Sequence, residues 1–108
     1  MDLAKKNILI VGLGISGKAA ALIAKKKGRI VTITDIAKED ALADYLPEVR
    51  KLDVMTELGD HNTETFEKAD LIIVSPVVPH TIFPIERAKE KGIPVLGEIE
   101  LASRYIRE

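Results

Sequence analysis

The sequence predicts an α/β fold, a parallel sheet of about five strands with helices on both faces. Three observations lead there. Short apolar runs alternate with helix-forming stretches through brief loops. Several of those runs are apolar without alternation, as strands buried on both faces are. The first run ends in Gly12-x-Gly14-x-x-Gly17 and passes at once into an alanine-rich helical stretch.

Asn7–Val11 reads as the first strand, and residues 15–27 as a helix closed by Gly28, a residue suited to the position just past a helix end. Residues 29–34 form a β-branched second strand ending at Asp35. Residues 39–46 read as a short helix stopped near Pro47. A weaker third strand over 53–57 precedes Gly59-Asp60 and a short helical stretch near 63–68. Leu71–Val74 is an apolar strand that ends at Ser75-Pro76. After a proline-punctuated loop, residues 82–91 give a helix closed by Gly92, 94–96 a fifth strand and 98–106 a final helix. Leu101, Ala102, Tyr105 and Ile106 share one face of that last helix, yet the chain stops at Arg107-Glu108 without a capping signal. It reads as a helix cut from a longer chain, the favoured account, or as a tail that packs back on the sheet. With no internal repeat or linker, residues 1–108 are expected to form one domain.

Composition narrows the function. At 46% apolar residues the chain can build a core, but no apolar stretch approaches the ~20 residues of a membrane span. The first seven residues lack the marks of a secretory signal, so a cytoplasmic protein with no membrane partner is expected. Without cysteine there are no disulfides and no thiolate metal sites. Sixteen basic and 17 acidic residues are interspersed to a net charge of −1, which argues against a nucleic-acid partner. The basic triplet Lys25-Lys26-Lys27 falls in the last turn of the first helix, where it complements the negative helix end.

The C-terminal ends of parallel strands share one edge, where ligands of open α/β sheets bind. Here that edge gathers residues 12–16, 35–38, 75–81 and 97–98. Gly12, Gly14 and Gly17 allow a sharp turn and close backbone approach, and the helix start offers unpaired N–H groups to a phosphate. The competing account is a tight turn in which Gly17, Ala20 and Ala24 serve helix–sheet packing alone. Ser16 adds a hydroxyl at the helix start, for a phosphate or as a cap. Gly12-x-x-x-x-Gly17-Lys18 also approaches the P-loop, but the residue that should hold Mg²⁺ is Ala19, which has no oxygen to offer. Lys18 is then an exposed first-turn residue.

Asp35 suits ribose hydroxyls, the usual argument for NAD, and equally suits capping of its own turn. Ser75-Pro76-Val77-Val78-Pro79-His80-Thr81 is a stiff loop at the ligand edge, or simply a proline turn. His61 and His80 have no metal-ligand partner at helical spacing and read as lone surface histidines. No catalytic constellation and no metal site is assigned.

Taken together, the segments resemble the N-terminal domain of the Mur ligases, most of all the D-glutamate-adding branch. The resemblance rests on Ile10-Val11-Gly12-Leu13-Gly14-Ile15-Ser16-Gly17, Asp35 and Gly59-Asp60-His61. It continues through Ala69-Asp70-Leu71-Ile72-Ile73-Val74-Ser75-Pro76 and Gly92-Ile93-Pro94-Val95-Leu96-Gly97-Glu98-Ile99-Glu100-Leu101. It implies a Rossmann-like domain that binds the UDP part of UDP-N-acetylmuramoyl-L-alanine, not a nicotinamide cofactor, in peptidoglycan precursor synthesis. Gly14, Ile15 and Ser16 would then contact the diphosphate, with Gly12 and Gly17 in the same substrate-binding turn, Asp35 and Ile36 would lie at the uracil, and Ser75, Pro76 and Val77 would border the phosphates from the other side. No cofactor is implied for this domain. ATP and Mg²⁺ are implied for the complete enzyme, whose remaining domains would be partners in cis, and the 108 residues alone are expected to be inactive.

The chain departs from the family pattern twice. Val77 stands where the family usually has glycine after Ser-Pro, and Ile36-Ala37-Lys38 replaces more polar company for the base. The residues by themselves leave two alternatives: an NAD-binding domain of an oxidoreductase or regulatory module, and an α/β interaction domain with a vestigial site.

Overall fold

The computed structural model describes residues 6–26 and 30–97, with the backbone alone at 15, 16 and 26. Five strands alternate with helices along the chain: β1 (Asn7–Val11), α1 (Ile15–Lys26), β2 (Ile30–Asp35), α2 (Leu46–Arg50), β3 (Met55–Leu58), α3 (Thr63–Glu67), β4 (Leu71–Val74), α4 (Phe83–Glu90) and β5 (Val95–Leu96). The strands form one sheet in the order β3-β2-β1-β4-β5, and every neighbouring pair is parallel. This is the expected α/β fold, with the order of the first five strands of a Rossmann sheet. The chain leaves β1 toward β2 and β3, then returns to lay β4 on the other side of β1. The direction of winding therefore reverses between β1 and β4.

Alternate side chains of each strand feed two cores. Ile8, Ile10, Val31, Ile33, Leu71 and Ile73 face Ala20, Ala21 and Ala24 of α1, with Leu46 and Val49 of α2 beside them. Leu9, Val11, Ile72 and Val74 face Phe66 beside Ile85 and Ala88 of α4. Alanines on the inner face of α1 let that helix lie close to the sheet. β1 is buried from Ile8 to Val11, as its unbroken apolar run requires.

Three boundaries differ from expectation for identifiable reasons. The segment read as one helix over 39–46 is a 3-10 turn, Glu39–Leu42, followed by α2, which begins where the helix was expected to stop. Pro47 lies in the first turn of α2, where its missing N–H would have had no intrahelical acceptor, so it starts a helix rather than ending one. β3 begins at Met55 because Asp53 takes a left-handed conformation (φ 57°) that a strand cannot include. α4 starts at Phe83 with Pro84 in its first turn. It ends in a hydrogen-bonded reversal at Gly92 (φ 81°), in which Ile93 N–H donates to the Ala88 carbonyl at 3.1 Å. The helix end at Gly28 and the final helix over 98–106 lie outside the described residues.

Candidate functional site

The end of β1 is tied to both neighbours. Gly12 N–H donates to the Thr34 carbonyl of β2 at 2.8 Å, and Ser75 N–H donates to the Val11 carbonyl at 2.9 Å. The loops after β1 and β4 thus meet at the point where the winding reverses, outside the strand ends. Gly12 has φ 95°, and a Cβ there would lie 2.8 Å from Ser75 Cβ and 3.1 Å from Val78 Cγ2. A Cβ on Gly17 would overlap the Gly12 carbonyl oxygen. Gly14 differs: its φ is not left-handed, and a Cβ there would meet nothing within 4 Å among the described residues. Two of the three glycines are demanded by the chain's own contacts, and the third is not.

α1 begins directly after this turn, with Lys18 N–H donating to the Gly14 carbonyl at 2.9 Å. Helix geometry leaves the first N–H groups, at Ile15, Ser16 and Gly17, without an intrahelical acceptor, and the aligned peptide dipoles make this end positive. The first turn carries no acidic residue to offset that charge.

Asp35 closes β2 and uses both carboxylate oxygens on backbone. Oδ2 accepts from Leu13 N–H and Oδ1 from Ala37 N–H, each at 2.9 Å. It therefore braces the glycine turn against its own turn, the capping alternative joined to a longer-range one. Ile36, next in sequence, is 68% exposed on the rim.

On the opposite side, Val78 N–H donates to the Ser75 carbonyl at 3.0 Å, closing a turn with Pro76 and Val77 at its corners. Proline presets the first corner, and Val77 takes the second without a left-handed φ, so no glycine is needed for the turn itself. Val77 is 87% exposed. The side chains that approach Gly12 from this loop are those of Ser75 and Val78.

Lys18, expected as an exposed first-turn residue, pairs with Glu48 of α2 (Nζ–Oε2 3.0 Å). The histidines are not lone surface residues either. His80 packs its ring where a Cβ on Gly97 would come within 2.9 Å of Cε1, joining the loops after β4 and β5. His61 Nδ1 lies 2.8 Å from Thr34 Oγ1, and its ring meets Phe66 edge-on with centroids 5.5 Å apart. Burial pulls the His61 pKa below 6.5, against the opposing pull of the Asp35 and Asp60 carboxylates.

A family model described as the Mur ligase MurD-like N-terminal domain matches residues 6–97. The chain belongs to that family. It is 52% identical over 107 residues to the UDP-N-acetylmuramoylalanine–D-glutamate ligase of Desulfatibacillum aliphaticivorans, with 99% of this chain and 24% of that protein covered. It is 48% identical over 101 residues to the same-named ligase of Desulfosudis oleivorans, covering 94% of this chain and 22% of the relative. Among solved structures, a pseudomurein peptide ligase type C from Methanothermus fervidus superposes with a TM-score of 0.70 at 29% identity, over 89% of this chain and 19% of that one. The chain thus spans about a quarter of the length of the curated relatives it matches.

In this Mur ligase N-terminal domain, Gly12, Gly14, Gly17, Asp35 and Ser75 come together around one turn, with Ile15 and Ser16 opening the helix beside it. Ile36, Pro76 and Val77 stay on the exposed rim. Sequence reasoning missed His61 and Thr34. The signal was available, because His61 follows Gly59-Asp60 just past β3 and so belongs to the same strand-end edge. No described helix is long and apolar enough to cross a membrane.

Proposed function

We propose that this chain is the nucleotide-binding part of a D-glutamate-adding Mur ligase and holds the UDP portion of UDP-N-acetylmuramoyl-L-alanine in the cytoplasm. The carrying observation is the junction of the glycine turn with the Ser75 loop at the winding reversal, beside the positive start of α1. The diphosphate would lie across the N–H groups at residues 14–17, with the open space beside Gly14 allowing close approach. Ser75 would flank it from β4. Asp35 acts chiefly by holding Leu13 in place, while Ile36 offers an apolar surface to the uracil. The names of the relatives support the choice of substrate.

ATP and Mg²⁺ belong, on this reading, to the parts of the ligase beyond this chain. Ala19 supplies no oxygen at the Mg²⁺-holding position of a P-loop, and Lys18 is engaged by Glu48. Within the whole enzyme, the residues here would anchor the remote nucleotide so that the reacting carboxylate is positioned elsewhere. Calorimetric titration of the 108-residue chain with UDP-N-acetylmuramoyl-L-alanine, UDP and NADH tests this. Binding of the first two is expected, with no ligation by the chain alone. Binding of NADH only would overturn the assignment.

A further inference from the structure

The glycine turn is held by β2, and β2 is held by His61. Gly12 N–H donates to the Thr34 carbonyl at 2.8 Å, and Leu13 N–H donates to Asp35 Oδ2 at 2.9 Å. The same two β2 residues are gripped from beyond β3. Gly59 N–H donates to the Asp35 carbonyl at 2.9 Å, and His61 Nδ1 lies 2.8 Å from Thr34 Oγ1. Thr34 is 0% exposed with the imidazole in place, so its hydroxyl relies on a partner within the protein. Phe66, fully buried, fixes the ring by an edge contact at 79°.

We propose that His61 is a positioning residue for the nucleotide site: acting through Thr34, it fixes the backbone of Gly12 and Leu13, and with them the N–H groups that receive the diphosphate. His61 itself lies beyond β3 and outside the glycine, Asp35 and Ser75 loops that border the proposed ligand. The inference rests on the nucleotide-binding reading and adds a group that reading does not use.

The chemistry of imidazole makes the link sensitive to protonation. A neutral ring carries one donor and one acceptor nitrogen, whereas the charged ring has two donors. With Nδ1 of the neutral ring as the acceptor of the Thr34 hydroxyl, protonation makes it a donor, Thr34 Oγ1 must accept, and the threonine proton has to find another acceptor. Glu57 of β3 and Glu64 of α3 line the same cleft as His61, and the carboxylates that act on it are Asp35 at the end of β2 and Asp60 in its own loop. They favour the charged ring, and burial opposes them and prevails. The neutral ring is therefore the form at neutral pH, and protonation requires acid below the ordinary imidazole value.

The test is binding of UDP-N-acetylmuramoyl-L-alanine to the 108-residue chain between about pH 8 and about pH 5, followed by calorimetry, with circular dichroism at each pH to verify the fold. The diphosphate of this probe is esterified at both ends and does not titrate in that range. Wild-type affinity is expected to fall as the pH drops below the ordinary imidazole value. His61→Leu should weaken binding at the alkaline end by about threefold to tenfold, the equivalent of one hydrogen bond. His61→Asn, which places an amide near the Nδ1 position, should recover most of that loss and bind with a flat pH profile. Thr34→Val should remove the acid dependence in the same way, which keeps the test decisive if the leucine variant does not fold.

Acid loss of wild-type size in His61→Asn, or a folded His61→Leu that binds like wild type, would overturn the proposal while leaving nucleotide binding in place. No wild-type binding at the alkaline end would overturn both.

Discussion

Gly12→Ala isolates what the glycine turn costs to change. Two penalties add at this position. The backbone sits at φ 95°, where an L side chain is strained by about 1–2 kcal/mol. The new methyl would lie 2.8 Å from Ser75 Cβ and 3.1 Å from Val78 Cγ2, an overpacking of about 1–3 kcal/mol in a region tied by hydrogen bonds on both sides. Together they amount to about 3 kcal/mol, a large share of the ~5–15 kcal/mol that holds a domain. In urea the midpoint should drop accordingly, and the melting temperature of a chain this size should fall by roughly 10–20 °C. Ser75→Gly removes one of the two colliding groups. The double variant should therefore regain about 1–2 kcal/mol of the loss while keeping the backbone penalty. If Gly12→Ala costs less than about 1 kcal/mol, or if Ser75→Gly gives no rescue, then the loops after β1 and β4 do not meet as described.

Three further outcomes follow from the same geometry. Gly14→Ala should leave the urea midpoint within about 0.5 kcal/mol of wild type, since no described atom opposes its Cβ. The same change should weaken titrated binding of UDP-N-acetylmuramoyl-L-alanine by about tenfold, because the methyl would occupy open space that the proposed diphosphate approaches. Asp35→Asn offers one oxygen where two backbone N–H groups now find acceptors, and should cost about 1–3 kcal/mol by denaturant titration. The His61 pKa is depressed in the folded chain, so its contribution to stability is complete above 6.5 and lost as the pH falls through the lowered folded value. Urea midpoints measured across that window should decline with acid in wild type more than in His61→Asn, and parallel declines would contradict the buried Thr34–His61 contact.

The features legible in the sequence were those set by local chemistry. Unbroken apolar runs announced β1 and β4, and Gly92 announced the end of α4, because burial and left-handed caps leave direct marks on residue type. Long-range arrangements left none. The strand order that lays β4 beside β1 cannot be read from spacing, nor can the meeting of Gly12 with Ser75 across 63 positions of sequence. Pro47 misled because proline is tolerated at a helix start and disruptive inside one, and only the backbone decides which. His61 looked superficial because its partner Thr34, 27 residues away, reads as an ordinary strand residue.

The fingerprint of three glycines is weaker evidence for a ligand than its form implies, and the structure says why. Gly12 is needed for a left-handed turn against Ser75, and Gly17 for the contact of α1 with the Gly12 carbonyl. A chain with this fold would need both even if it bound nothing. Of the three, Gly14 alone lacks an internal reason among the described residues, and it stands at the positive start of a 12-residue helix. What points to a ligand is therefore the junction at the winding reversal, one glycine of the three, the helix that follows it and the relatives. Comparing Gly12→Ala with Gly14→Ala separates the two demands directly: the first should damage the fold, the second the binding, and a chain whose fold suffered equally from both would be using the whole motif to hold itself together.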